Sequence, residues 1–147
     1  MDFNLVNLTK QKNMKLLSIV LIAFIGMQCS PKLSPDSSWG NQRWVVVEMK
    51  KVPVQQSESR RDAFLNFEVA EKKFRGNGGC NQINGNYTID KKEIHFGEVM
   101  STKMSCSDIE FETVFISTLS GINRYEVREN QLLLKKNREI MLVLRPR

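Results

Sequence analysis

Residues 76–106 read GNGGCNQINGNYTIDKKEIHFGEVMSTKMSC, and their turn chemistry decides the fold. Two of the three cysteines, five of the eight glycines and the one histidine lie here, so tight turns and any reactive chemistry are concentrated in one place. Asn86–Asp90 (NYTID) and Glu93–Glu98 (EIHFGE) flank Lys91-Lys92, which predicts a hairpin. Ile94 and Phe96 alternate with Glu93 and His95, the period of a strand with one wet face. Gly97 interrupts that period and predicts a bulge.

Upstream, Arg43–Lys50 (RWVVVEMK) reads as a strand with Val45, Val47 and Met49 on one side and Trp44, Val46 and Glu48 on the other. Residues 51–62 are polar, carry Pro53 and read as a surface loop. Ala63–Ala70 sets Leu65, Phe67 and Val69 against Asn66 and Glu68, and Lys73–Gly76 continues with Phe74 inward. Downstream, Ser107–Ser120 is the one good helix. Ser107 with Glu110 fits a capping box, Ile109, Phe111, Val114, Phe115 and Leu119 form the apolar stripe, and Gly121 stops it. Residues 123–128, 131–135 and 139–145 follow as three strands joined by Glu129-Asn130 and Lys136-Asn137. The expected fold is α+β and mainly β: a small curled antiparallel sheet of about eight short strands, barrel-like, with one helix packed on it. Without βαβ alternation, a doubly wound nucleotide-binding fold is excluded.

At 147 residues the chain holds one domain, expected over residues 39–147. Lys10, Lys12 and Lys15 precede an apolar run, Leu16–Met27, that ends in Gln28-Cys29-Ser30-Pro31. A helix of that length reaches about 18 Å, short of a hydrocarbon core of about 30 Å, so residues 1–28 read as a secretory signal. Met14 is a natural start for such a leader, with residues 1–13 an extension ahead of it. Cys29 sits where a bacterial lipobox carries its diacylated cysteine, although Gln28 replaces the usual small residue before it. The alternative is an ordinary signal cleaved nearby. Residues 29–38, Pro- and Ser-rich, read as the lipidated cysteine and its tether. Without the leader, 19 basic and 15 acidic residues remain, interleaved in sequence, which gives no sign of nucleic-acid binding.

Gly79-Cys80-Asn81, Gly85-Asn86-Tyr87, Ile94-His95-Phe96, Ser101-Thr102-Lys103-Met104-Ser105-Cys106 and Glu112-Thr113-Val114-Phe115 together resemble the META domain family, typified by HslJ-like heat-inducible lipoproteins. The pattern is a GCN, a GxY, a strand ending in Phe, an ST[KR]M-[AS]-C and a helix with E-x-x-F, and the likeness covers residues 40–145. It implies a small β-rich domain with a helix, often tethered in the envelope and associated with stress or antibiotic tolerance, and it implies no established reaction.

In an oxidising periplasm, Cys80 and Cys106 read first as a disulfide, stabilising by roughly 3 kcal/mol. Two buried thiols come second, and a reactive cysteine third, because nothing in the sequence pairs His95 with either as a base. His95 is expected on the wet face of its strand, and a lone histidine without an acidic cluster makes no zinc site. Gly76, Gly78, Gly79 and Gly85 read as turn glycines needing positive φ. A phosphate loop would also need Gly-Lys-Ser/Thr opening a helix. Asn81 is expected to bond local backbone, and the Ser101 and Thr102 hydroxyls to satisfy backbone in the strand-to-helix turn. Trp39 and Trp44 read as core, with an interface as the alternative for Trp39.

The functional expectation is a non-enzymatic monomer without cofactor. It is lipid-anchored at a bacterial membrane, the outer rather than the inner, facing the periplasm, and binds an envelope protein or component. The alternative is a carrier holding a small apolar ligand inside the curled sheet.

Overall fold

A computed structural model of the chain describes residues 39–55, 62–106 and 109–147. Nine strands form one antiparallel sheet: β1 Arg43–Met49, β2 Val52–Pro53, β3 Phe64–Glu68, β4 Lys73–Asn77, β5 Gln82–Asp90, β6 Glu93–Ser101, β7 Arg124–Arg128, β8 Gln131–Lys136 and β9 Glu139–Pro146. The helix α1, Ile109–Ser120, lies between β6 and β7. The strand order is β2-β1-β3-β4-β5-β6-β7-β8-β9, and β1 also pairs with β9, so the sheet curls into a ring.

The ring is the expected curled, barrel-like sheet, though not a true barrel. β6 and β7 share a single register pair, Glu93 with Arg124. The bonds from Ile94 N–H to Asn123 O (3.3 Å) and from Tyr125 N–H to Lys92 O (3.1 Å) supplement it. The chain leaves the sheet at this seam to make α1, which costs the ladder most of its rungs there. The ninth strand, β2, is the other difference: two residues inside the expected loop fold back onto β1. Lys50 and Lys51, with φ of 49° and 67°, make the turn. Positive φ at both central residues is what a two-residue hairpin demands, and the same solution recurs at Glu129-Asn130.

Inward faces follow the expected alternation, with one reversal. Trp44 and Val46 face the core, then β1 shifts register against β9 between Val46 and Glu48. The extra residue, Val47, is a bulge, so Met49 joins the core side with Val46 instead of lying opposite it. Around the ring, Leu65, Phe67, Phe74, Ile83, Tyr87, Ile94, Phe96, Tyr125, Leu132, Leu134, Leu142 and Leu144 complete the core. Aromatic rings fill its middle edge to face: Trp39 meets Phe67 at 4.5 Å and Phe74 meets Phe96 at 5.3 Å between centroids. Trp39 is 0 % exposed, which settles it as core, and its carbonyl accepts the Trp44 indole N–H at 2.7 Å. Its own indole N–H is buried without a hydrogen-bond partner.

β5 begins at Gln82, four residues before the expected strand, and so absorbs half of the presumed loop. Gly85 is therefore a strand residue on the inward face, and its reason is space, not φ. A Cβ there would lie 2.7 Å from Glu98 O and 2.8 Å from the Phe74 ring. Likewise a Cβ on Gly76 would lie 1.9 Å from Phe64 O. Only Gly79 among the described glycines has positive φ, at 108°. We expect Gly85→Ala to lower stability by about 1–2 kcal/mol through overpacking, read as a fall in thermal midpoint. An unchanged midpoint would contradict the close approach.

Candidate functional site

Glu112 lies on the buried face of α1 with Phe115 and Leu119, and is only 4 % exposed. The helix rotates this face inward and leaves Ile109, assigned to the apolar stripe, 45 % exposed. Ser107 of the expected capping box lies outside the described residues, as does Cys29 with the whole leader and tether. The Glu112 carboxylate faces four donors. Oε2 accepts the backbone N–H of Asn81 (2.6 Å) and of Cys80 (3.3 Å), while Oε1 accepts the Asn81 carboxamide (3.0 Å) and the Ser101 hydroxyl (3.1 Å).

The loop between β4 and β5 is shaped to present those amides. The Asn77 side chain accepts Gly79 N–H at 2.7 Å and Gly78 N–H reaches Asn81 O at 2.8 Å. Positive φ at Gly79 then turns the N–H groups of Cys80 and Asn81 to the same side. Successive amides aimed at one point make an anion nest, and here the anion is the chain's own carboxylate. Gly78 must be glycine because a Cβ there would lie 2.7 Å from Glu112 Oε2.

Asn81 carries the network onward. Its Oδ1 accepts the Met104 N–H (2.6 Å) and the Thr102 hydroxyl (2.8 Å), and Thr102 Oγ1 in turn accepts Gln82 N–H at 3.2 Å. The expected local bonding by Asn81 holds for its backbone carbonyl, which accepts Gly78 N–H, but its side chain, apart from a 3.4 Å contact with Cys80 Sγ, bonds partners 21 to 31 residues away, and Asn77 makes the local turn. Ser101 and Thr102 partly follow expectation, since Ser101 Oγ also lies 3.0 Å from Thr102 O, but both reach the clasp side chains too. The disulfide Cys80–Cys106 fastens the same junction, with the Cα atoms 6.0 Å apart.

The remaining motif residues divide by face. Tyr87 and Phe96 are buried in the core, and Gly85 makes room for Phe74. Met104 contributes its backbone to Asn81 while its side chain stands 61 % exposed. His95 is exposed on β6 opposite Thr88. Among the described residues no group of three His, Cys, Asp or Glu side chains is arranged to hold a metal ion.

The clasp thus joins the GCN loop, the end of β6 and the helix glutamate, which are the segments a family model for the META domain spans; that model matches residues 37–147. The chain belongs to the META domain family. No curated protein matches this META domain protein by sequence. Its fold is similar to an NMR structure of a protein from Burkholderia xenovorans, with a TM-score of 0.60 at 18% identity, over 83% of this chain and 94% of that one. A crystal structure of a duf4847 family protein from Bacteroides vulgatus is also similar, with a TM-score of 0.55 at 15% identity, over 76% of this chain and 95% of the other. At these identities the likeness is one of fold.

The role of Glu112 was missed by reasoning from pattern. It sits three residues before Phe115 on the buried face, and that spacing of a carboxylate beside a core aromatic, the E-x-x-F of the family resemblance, marks the residue without showing what it bonds.

Proposed function

We propose that this META domain is a non-enzymatic binding module, tethered through Cys29 in the bacterial envelope on its periplasmic side, where it engages a protein or envelope component and supports stress tolerance. The observation that carries the reading is that the motif's polar groups satisfy one another. Glu112, Asn81, Ser101 and Thr102 bond among themselves and to backbone, and both motif cysteines are spent in the disulfide. A bridged cysteine offers no thiolate nucleophile. What the clasp does present outward is a firmly held surface with the Met104 side chain on it, together with exposed Met100 at 58%. Methionine suits adaptable protein contacts. The interior of the ring, where a carrier would keep its ligand, is occupied by Trp39, Phe67, Tyr87, Phe74 and Phe96.

A photo-crosslinking residue placed at Met104 of the full chain, expressed at native level, should capture one reproducible envelope partner that a probe at Thr88 does not. Equal, unselective capture from both positions, or none from Met104, would contradict the reading.

A further inference from the structure

Away from the clasp, a cleft of about 650 Å3 opens beside the β6–β7 seam. Five cations line it: Lys91 and Lys92 from the β5–β6 turn, Arg124 from β7, Lys135 from β8 and Arg138 from the β8–β9 turn. Glu126 is the one carboxylate in that lining, and it is paired with Lys135. In sequence these charges are scattered over 48 positions among acids, and the full chain is only +6. Folding gathers them.

The gathering is held in place. The Tyr125 hydroxyl donates to Lys91 O at 3.0 Å and Tyr125 N–H to Lys92 O at 3.1 Å, which ties the lysine turn to β7. Asn123 and Asn137 exchange two hydrogen bonds, at 2.7 and 2.8 Å, and so fix the turn that carries Arg138. Within the ladder Arg124 stands directly opposite Lys135. Like charges in that position destabilise a sheet. Glu93, across the seam from Arg124, is not part of the lining. The Glu126 carboxyl is held below its usual range first by its hydrogen bond to Lys135, then by the charge of that lysine and, more weakly, of Arg128 and Lys92.

We propose that this cleft is a binding site for a phosphate-bearing ligand with at least two negative charges, either a soluble phosphate ester or a lipid headgroup. Arginine forks and lysine ammonium groups match phosphate oxygens in geometry and charge. The volume lies within the roughly 300–1,000 Å3 range of small-ligand sites. Glu126 answers Lys135, so the anion would chiefly meet the charges of Arg124, Arg138, Lys91 and Lys92. The inference concerns a different surface from Met104 and stands whether or not the chain is lipid-anchored.

The test uses the full chain and two probes. Pyrophosphate binding is measured by calorimetry at low and at physiological salt. Sedimentation with phosphatidylglycerol-containing vesicles is compared with sedimentation on pure phosphatidylcholine, and because Lys10, Lys12 and Lys15 of the leader also attract anionic lipid, only the part of the selectivity that the cleft variants remove is assigned to the cleft. Arg124→Glu combined with Arg138→Glu should weaken whichever binding is seen by at least tenfold, Lys92→Gln should weaken it severalfold, and added salt should weaken it further. Pyrophosphate binding alone supports the soluble ligand, and binding selective for anionic vesicles supports the headgroup. No binding of either probe, or binding that both variants leave unchanged while they keep the wild-type thermal midpoint, overturns the site.

Discussion

Glu112→Ala is expected to lower the stability of the domain by about 3–4 kcal/mol, a fall of roughly 12–30 °C in thermal midpoint for a domain of this size. The substitution leaves the buried N–H groups of Cys80 and Asn81, and the Asn81 carboxamide, without their acceptor. Each such orphaned donor costs about 1–3 kcal/mol, and partial relaxation keeps the total below the sum. Ser101 is exposed and regains a partner in water. Glu112→Gln keeps the volume but turns an amide N–H2 toward one set of donors, so about 2 kcal/mol is expected. Calorimetric unfolding of both variants checks the ordering, and variants within about 0.5 kcal/mol of the parent would mean that the carboxylate is a surface group.

Reduction of Cys80–Cys106 is the other large effect. The bridge spans 26 residues of sequence. Opening it releases about 3 kcal/mol of denatured-state restriction, in the chain-entropy account. The thermal midpoint of the full chain with reductant should fall by roughly 12–24 °C. Since the disulfide and Glu112 fasten the same loop to the same helix, their losses should not add: reduced Glu112→Ala should lose less than the two single losses together, by about 0.5–3 kcal/mol. Strict additivity would show two independent fastenings.

Much of the sheet is legible from alternation and turns. Ile94 and Phe96 against Glu93 and His95, the Lys91-Lys92 turn, the Glu129-Asn130 turn and the bulge at Gly97 all appear in the structure as read. Beyond that the local pattern fails for identifiable reasons. The first half of β5 contains only Ile83 as an apolar residue, because the inward position at Gly85 is filled by the ring of Phe74 from the neighbouring strand. Periodicity cannot show a side chain borrowed from elsewhere. The bulge at Val47 reverses the faces of β1 with no glycine or proline to mark it. β2 is too short, at two residues, to carry any period.

The candidate site was legible as a set of residues and not as an arrangement. The family resemblance singles out Asn81, Ser101, Thr102, Cys106 and Glu112, yet only the fold shows that the carboxylate of one satisfies the amides beside another, 31 residues away. Contacts of that separation carry no local signal. The basic cleft was invisible for the same reason: in sequence Lys91, Arg124, Lys135 and Arg138 each sit near acids such as Asp90, Glu126 and Glu139, and only the curl of the sheet gathers the cations at one seam.

The clasp is tested most directly by amide hydrogen exchange at Asn81, whose N–H donates to Glu112 Oε2 at 2.6 Å. In the parent protein this amide should exchange only through global unfolding, as slowly as the core strands. In Glu112→Gln it should exchange at least a hundredfold faster than expected from the change in global stability alone. An Asn81 amide that exchanges rapidly in the parent, or that slows and quickens only with the global stability of the variant, would contradict a clasp centred on Glu112.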